Sequence, residues 1–534
     1  METLRQSMSW MHTWTGLLFG WILYFMFVTG SAGYYDAELD RWMKPELAAP
    51  IEVGENSVAL LETALARAAE EVPEASQVSV TLPYDRSFSP QVRVFATGTN
   101  AEGDPVRADL QLLEDGSDAP SARETSGGQA LYRLHWTFHY IPRALGEFIA
   151  GFAAVFMFAA IISGIITHKK IFADFFTLRF SKGQRTWLDS HNVISVMTLP
   201  FQIMITFSGI LLVVTTFFIP IFVAQYGWNE DTIETISSEM FGVKPPIERS
   251  GDLIEPIDLA PLNAEFQTQF PNERLNFIQV SNPGDATSTI RLYGRISDGI
   301  VRMSPYVEFT SETGEVLNVK PRTVHDSDGV MNVLEGLHEG LFAGPVLRIL
   351  FFVSGLMGAG MIATGLVLWT KKRRQKLRGD ARAERNLVMI ERLNVGMIAG
   401  LCVGIAAYFY ANRLLPVGME GRADWELHTL FLTWLVFILH SLVRRPEKAW
   451  IEQLSATALA FACLPVLNAL TTELHLGNTL PLPGRDGNLM MAGVDLWFLV
   501  IAAGFAGAAR IAARKQADGK PKKPNRTPIP VAAE

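Results

Sequence analysis

Apolar residues gather into eight blocks along the chain. Each is long enough to cross a hydrocarbon core of about 30 Å, which takes roughly 20 helical residues. The pattern predicts spans near 11–36, 144–168, 188–222, 343–370, 392–411, 424–443, 451–471 and 489–511. The third contains Pro200, expected as a tolerated kink in a membrane helix. The first has too long an apolar run for a secretory signal and carries His12, Trp14 and Trp21, so it is expected to stay as a helix. Two long connections interrupt the blocks, about 37–134 and 223–337. In the first, Val58, Leu61, Ala64 and Ala68 keep helical spacing, and alternating stretches follow at Val78–Leu82 and Val92–Phe95. In the second, a helix is expected over Leu259–Phe270, then strands at 278–280, 289–293 and 306–309. Each connection reads as a small helix-plus-antiparallel-sheet module.

The expected fold is a polytopic α-helical membrane protein with about eight transmembrane helices and two α+β modules. Its parts are 1–36 (first span), 37–143 (first module), 144–222 (spans two and three), 223–337 (second module), 338–372 (span four) and 373–534 (four further spans and a basic tail). Composition agrees: 49% of residues are hydrophobic and only 19% charged, which excludes a single soluble globule or a disordered chain. A net charge of −8 argues against a nucleic-acid partner. The only cysteines, Cys402 and Cys463, lie in apolar runs, which argues against a disulfide scaffold, a thiolate zinc site and an iron–sulfur cluster. Lys169, Lys170, Arg179, Lys182 and Arg185 crowd one loop, Lys371–Arg374 the next, and Arg444, Arg445 and Lys448 a third. The positive-inside rule then places both termini in the cytoplasm and the two modules outside, which in a bacterium is the periplasm.

The first four spans look like two copies of one helix pair. His12 precedes Thr29-Gly30, and His191 precedes Ser208-Gly209, with 18 residues from each His to its Gly. His135 is followed seven residues later by Pro142, and His338 seven residues later by Pro345. Ser163-Gly164 stands before Lys169-Lys170, and Thr364-Gly365 before Lys371-Lys372. The copies differ at one end, where Trp369 replaces the counterpart of His168.

Six of the ten histidines sit at the ends of these spans and form two layers: His12, His168 and His191 on the cytoplasmic side, and His135, His139 and His338 on the other. Ionisable groups in membrane helices need an interior position and partners. A lone terminal His is as readily a headgroup residue, but two layers reproduced by a repeat point to ligands. Inside the apolar cores of these spans no Asp or Glu accompanies them, and no Cys is near, so a hydrolytic zinc site is disfavoured. One imidazole from each of two helices suits the two axial positions of a haem b. Gly16 and Gly20, on the face of His12, and Gly164, four residues before His168, would make room for the macrocycle; Gly16 and Gly20 also suit close helix packing. Between His135 and His139 the spacing does not choose. His428 and His440 are too far apart on one span to share a site, and His325 and His475 fall in loops. Neither a dinucleotide-binding glycine turn nor a Walker loop is present, so electrons would come from a separate reductase, carrier or quinol.

The runs Ile166-Thr167-His168-Lys169-Lys170, Lys182-Gly183-Gln184-Arg185 and Asp189-Ser190-His191-Asn192 resemble the PepSY-associated transmembrane family. So do Met11–Gly16, Leu134–Tyr140 and Leu337–Gly340, and the two outer modules look like PepSY domains. The resemblance covers about residues 5–372. It implies a bacterial inner-membrane protein with two b haems between four helices, held by histidines at the positions above. It further implies reduction of a ferric siderophore or another Fe(III) chelate. Two other readings are an iron or siderophore permease, which would show broken helices and a polar midplane site, and a non-redox scaffold whose PepSY modules bind peptide or protein.

Overall fold

Helix α1 (Leu4–Ala32) begins ahead of its apolar block because Thr3 and Gln6 form a capping box that carries the helix through a polar first turn. A computed structural model of the chain describes residues 3–47, 57–100, 103–168, 184–213, 247–323 and 327–518, apart from 85, 88, 256, 297, 298, 378 and 484–486, together with 53, 221 and 223–227. The basic loop from Lys169 to Lys182, His325 and the tail after 518 lie outside the described residues. The chain divides into two compact units, residues 1–372 with 416–423, and residues 373–415 with 424–534.

In the first unit, α1 runs on through a short turn into α2 (Asp36–Met43). The first connection then forms α3 (Ser57–Glu71) and strands β1 (Ala75–Thr81), β2 (Val92–Thr99) and β3 (Pro105–Leu112). Helix α4 (Gly127–Thr137) leads to the span α5 (Arg143–Thr167). The third span is a bent pair, α6 (Gln184–Met197) and α7 (Leu199–Leu212), with 69° between them. The kink expected at Pro200 is this bend: Pro200 has no N–H to give the preceding turn, and its ring collides with that turn's carbonyl. Residues 214–220 of the expected span lie outside the described residues. The second connection gives α8 (Leu259–Gln269), β4 (Leu275–Ser281), β5 (Thr289–Gly294), β6 (Tyr306–Thr310) and β7 (Val316–Lys320), then α9 (Ser327–Glu339) and the span α10 (Pro345–Lys376).

The strands of the two connections join one antiparallel sheet in the order β3-β2-β1-β4-β5-β6-β7. The sequence reading has two separate modules; the structure joins them at β1 and β4, with Val78 opposite Val280 and Val80 opposite Ile278. Each module alone would leave an apolar strand edge unpaired, and the joint removes both edges. Inward residues at alternate positions, including Val80, Val94, Ile278, Leu292 and Phe309, pack with Leu61 of α3 and Phe266 of α8 in one core. Ile278 is fully buried at the joint. Ile278→Ala is expected to destabilise the sheet by about 2–5 kcal/mol. The full chain in detergent should then lose its far-ultraviolet β signal at a lower denaturant concentration with an unchanged slope.

The second unit contains α11 (Ala381–Leu414), α12 (Arg422–Val443), α13 (Pro446–Thr471), the short α14 (Leu476–Thr479) and α15 (Leu489–Asp518). Helix α11 starts before its apolar block because the Asp380 carboxylate accepts the N–H groups of Arg382 and Ala383. Gly396 and Gly404 face α12 so closely that an added Cβ would lie 2.7 Å from Ile438 and 2.8 Å from the Leu430 carbonyl. Buried polar side chains tie the helices together. Asn412 donates to Glu426 at 2.9 Å, Arg413 to Asn468 at 2.9 Å, and Asn468 to Asp495 at 3.1 Å. Asp495, the unusual charge of the last span, is thus a partnered group in a structural network. Among the described residues, seven helices are long and apolar enough to cross a membrane, or eight counting the bent pair.

Candidate functional site

The repeat places its histidines in pairs, one member from each copy. The His12 and His191 rings have centres 6.2 Å apart. Nδ1 of His12 lies 2.8 Å from the Ala160 carbonyl on α5, and Nδ1 of His191 lies 2.9 Å from the Met361 carbonyl on α10. A carbonyl only accepts, so each Nδ1 carries the proton and each Nε2 keeps its lone pair. The seat of each ring is a glycine one turn further along the same helix. A Cβ added at Gly164 would lie 3.2 Å from His12 Cε1, and one at Gly365 would lie 3.2 Å from His191 Cε1.

The second pair is His135 on α4 and His338 on α9, with ring centres 6.4 Å apart and planes inclined by 19°. Ser208 gives its proton to the Met204 carbonyl at 2.7 Å and accepts from His338 Nδ1 at 2.9 Å. His135 Nδ1 donates to the Tyr132 carbonyl in its own helix. The seats are again glycines: Gly30, whose Cβ would lie 3.3 Å from His135 Cγ, and Gly209, whose Cβ would lie 3.1 Å from His338 Cε1. Along α1 the seat of His135 is 18 residues from His12, a rise of about 27 Å. The pairs therefore lie toward opposite ends of the bundle.

These residues fit a metal held between two imidazoles. With metal–nitrogen bonds of about 2.0–2.1 Å, two rings on opposite sides of one metal have centres about 6.4 Å apart. The anchored Nδ1 groups supply the outer hydrogen bonds that orient such ligands. Among the described residues no group of three or more His, Cys, Asp or Glu gathers to hold a bare metal ion. Two-nitrogen sites suit a metal whose other ligands belong to a macrocycle, as in haem.

The other candidates lie elsewhere. The sequence reading left His135 and His139 both open as the partner of His338; the structure brings His135 there. Helix α4 ends at Thr137, and Phe138 has φ of 51°, so His139 is no longer one turn further along the same face. Its ring lies 4.4 Å from that of Tyr140. His168 caps α5, and its Nε2 accepts from the Asn192 amide at 3.0 Å. Gly20 takes the Leu366 side chain, 2.7 Å from its added Cβ, which is close helix packing, whereas nothing lies within 4 Å of an added Cβ at Gly16. In the second unit His440 meets Glu452 at 3.0 Å, His428 lies against Trp425, and His475 caps α14. Sequence reasoning gave a packing role to Gly164 but treated Gly30, Gly209 and Gly365 only as marks of the repeat. Their shared Ser/Thr-Gly signature was the available signal.

A duplicated helix pair with a histidine pair toward each end, followed by four more apolar helices, defines a polytopic helical membrane protein. A family model described as the PepSY-associated TM region matches residues 9–372, and the chain belongs to that family. The sequence matches no curated protein.

Proposed function

We propose that this protein carries electrons across the bacterial inner membrane through two b haems, one at each histidine pair, and delivers them to a periplasmic ferric siderophore or another Fe(III) chelate. The observation that carries the reading is the repeated arrangement of paired imidazoles at 6.2 and 6.4 Å, each seated on a glycine. Bound haem supplies one-electron chemistry at a potential set by its ligands, hydrogen bonds and burial. The chain's part is to hold Nε2 of His12 and His191 on one side and of His135 and His338 on the other, with fixed tautomers and rigid seats. Arg5, whose Nε donates to the Thr167 carbonyl at 2.9 Å, marks the His12 end as basic, together with Lys371 and Lys372 at the end of α10. The positive-inside rule puts that end in the cytoplasm, where a reductase or quinol would deliver electrons, and the sheet in the periplasm.

The bend at Pro200 favours a second reading, a permease with a broken helix. A transporter break leaves unwound carbonyls to bind an ion. Here hydrogen bonds close on both sides of the break, with Thr198 N–H donating to the Ile194 carbonyl at 3.1 Å and Gln202 N–H to the Thr198 carbonyl at 2.8 Å, so the interruption is a single turn at Pro200. The paired imidazoles at both ends of the bundle make the electron-transfer reading the preferred one. Protein purified from haem-replete cells is expected to give about two haems per chain by pyridine haemochrome. After anaerobic reduction, a ferric siderophore should reoxidise it with Fe(II) trapped by a ferrous chelator. A colourless folded preparation overturns the haem reading. A haem-loaded preparation that no ferric chelate reoxidises overturns the ferric-reductase reading alone.

A further inference from the structure

The two copies of the helix pair differ in the face between their histidine pairs. Along α6 and α7 that face carries His191, Ser195, Thr198, Gln202 and Thr206, spaced three or four apart, and ends at Ser208 beside His338. The corresponding positions after His12 are Gly16, Phe19, Leu23 and Phe27. One copy is apolar and the other holds a polar stripe through the middle of an apolar bundle. Thr198, Gln202, Thr206 and Ser208 are all buried, with Gln202 only 1% exposed.

Most of the stripe is satisfied within the protein. Ser195 donates to the His191 carbonyl at 2.6 Å, Thr198 to Ile194 at 2.9 Å, and the Gln202 amide nitrogen to the Ser354 carbonyl at 3.3 Å. Two atoms are not: Gln202 Oε1 and Thr206 Oγ1 are buried without a hydrogen-bond partner. Turning the Gln202 amide over does not help, because its oxygen would then face the Ser354 carbonyl. Thr206 also departs from Thr29, Ser163, Thr198 and Ser208, which all bond back to the preceding turn. Buried polar atoms without partners are costly and rare, and ordered water is their usual remedy. Gln202 and Thr206 are one turn apart on one face, about 5–6 Å between their Cβ atoms, a span that one water bridges.

We infer that Gln202 and Thr206 bind ordered water within the first unit's helix bundle, making this part of the α6–α7 stripe a hydrated point between the two histidine pairs. The water accepts from Thr206 and donates to Gln202 Oε1. Its second O–H is left uncommitted, so this face of the second copy is more polarisable than the apolar face of the first. The inference rests on the stripe alone and holds whatever the histidines bind.

Phe27 reports on the site, since a Cβ added at Gly358 would touch both its ring, at 2.6 Å, and the Gln202 amide, at 2.7 Å. The test is X-ray hydroxyl-radical labelling of the full chain in detergent, read by mass spectrometry. Buried water should give labelling at Phe27, while Phe19, stacked on Phe156, stays unlabelled. The double variant Gln202→Leu with Thr206→Val should lose the Phe27 label and gain no thermal stability. If that variant does not fold, the near-isosteric Thr206→Val alone should weaken the label. A wild-type Phe27 without label, a label unchanged by the substitutions, or a more stable double variant would each show the stripe to be dry and overturn the inference.

Discussion

Alanine at His191 is expected to lower bound haem from about two per chain to about one, and alanine at His12 is expected to do the same. The reason is geometric. The two rings come from different copies of the repeat and stand 6.2 Å apart, so neither has a substitute ligand on its own helix. His135→Ala and His338→Ala should remove the other haem, and a His12→Ala, His338→Ala double variant should retain none. Controls from the same layers make the prediction sharp. His168→Ala removes only the ring that accepts from Asn192, and His139→Ala only the ring beside Tyr140, so both variants should keep both haems. Pyridine haemochrome on monodisperse protein gives the count, and the reduced visible spectrum shows which site survives. Loss of haem in His139→Ala with retention in His135→Ala would reverse the assignment at the sheet end.

Much of this arrangement was legible in the sequence because it rests on local signals. Span positions follow from apolar density, and the duplication from His and Ser/Thr-Gly spacings that recur at the same intervals. The undecided points depend on single backbone events or on distant pairings. The choice between His135 and His139 turns on where α4 stops: a positive φ at Phe138 breaks the spacing that made them look equivalent. The sheet joint pairs β1 with β4 across a connection that includes two spans, and nothing local to either strand announces it. The polar stripe escaped notice for the opposite reason. Gln202 and Thr206 stand singly among Phe, Ile, Met and Leu, so an average over the span hides them. Only alignment of the second copy on the first, position by position, reveals that polar side chains replace Leu23 and Phe27.

The glycine seats give the second large expected effect. Gly365→Leu should remove the haem at the His191 pair as completely as His191→Ala does, although residue 365 ligates nothing. An added Cβ there lies 3.2 Å from His191 Cε1, inside the ordinary carbon–carbon separation of about 3.5–4.0 Å. Alanine thus demands a shift of a few tenths of an ångström, and leucine demands that the imidazole leave its place. A haem held by His191 would not tolerate that displacement, since the ring would have to stay anchored at the Met361 carbonyl and reach the metal at once. Gly360, on the same helix, is the control: nothing lies within 4 Å of its added Cβ, so Gly360→Leu should keep both haems. Gly360→Ala should raise the unfolding temperature slightly, since alanine favours a helix over glycine by about 1 kcal/mol. Gly365→Ala should show no such gain, because contact with His191 offsets it. Equal haem content in Gly365→Leu and Gly360→Leu would separate the glycine seat from ligation and leave the Ser/Thr-Gly repeat as helix packing only.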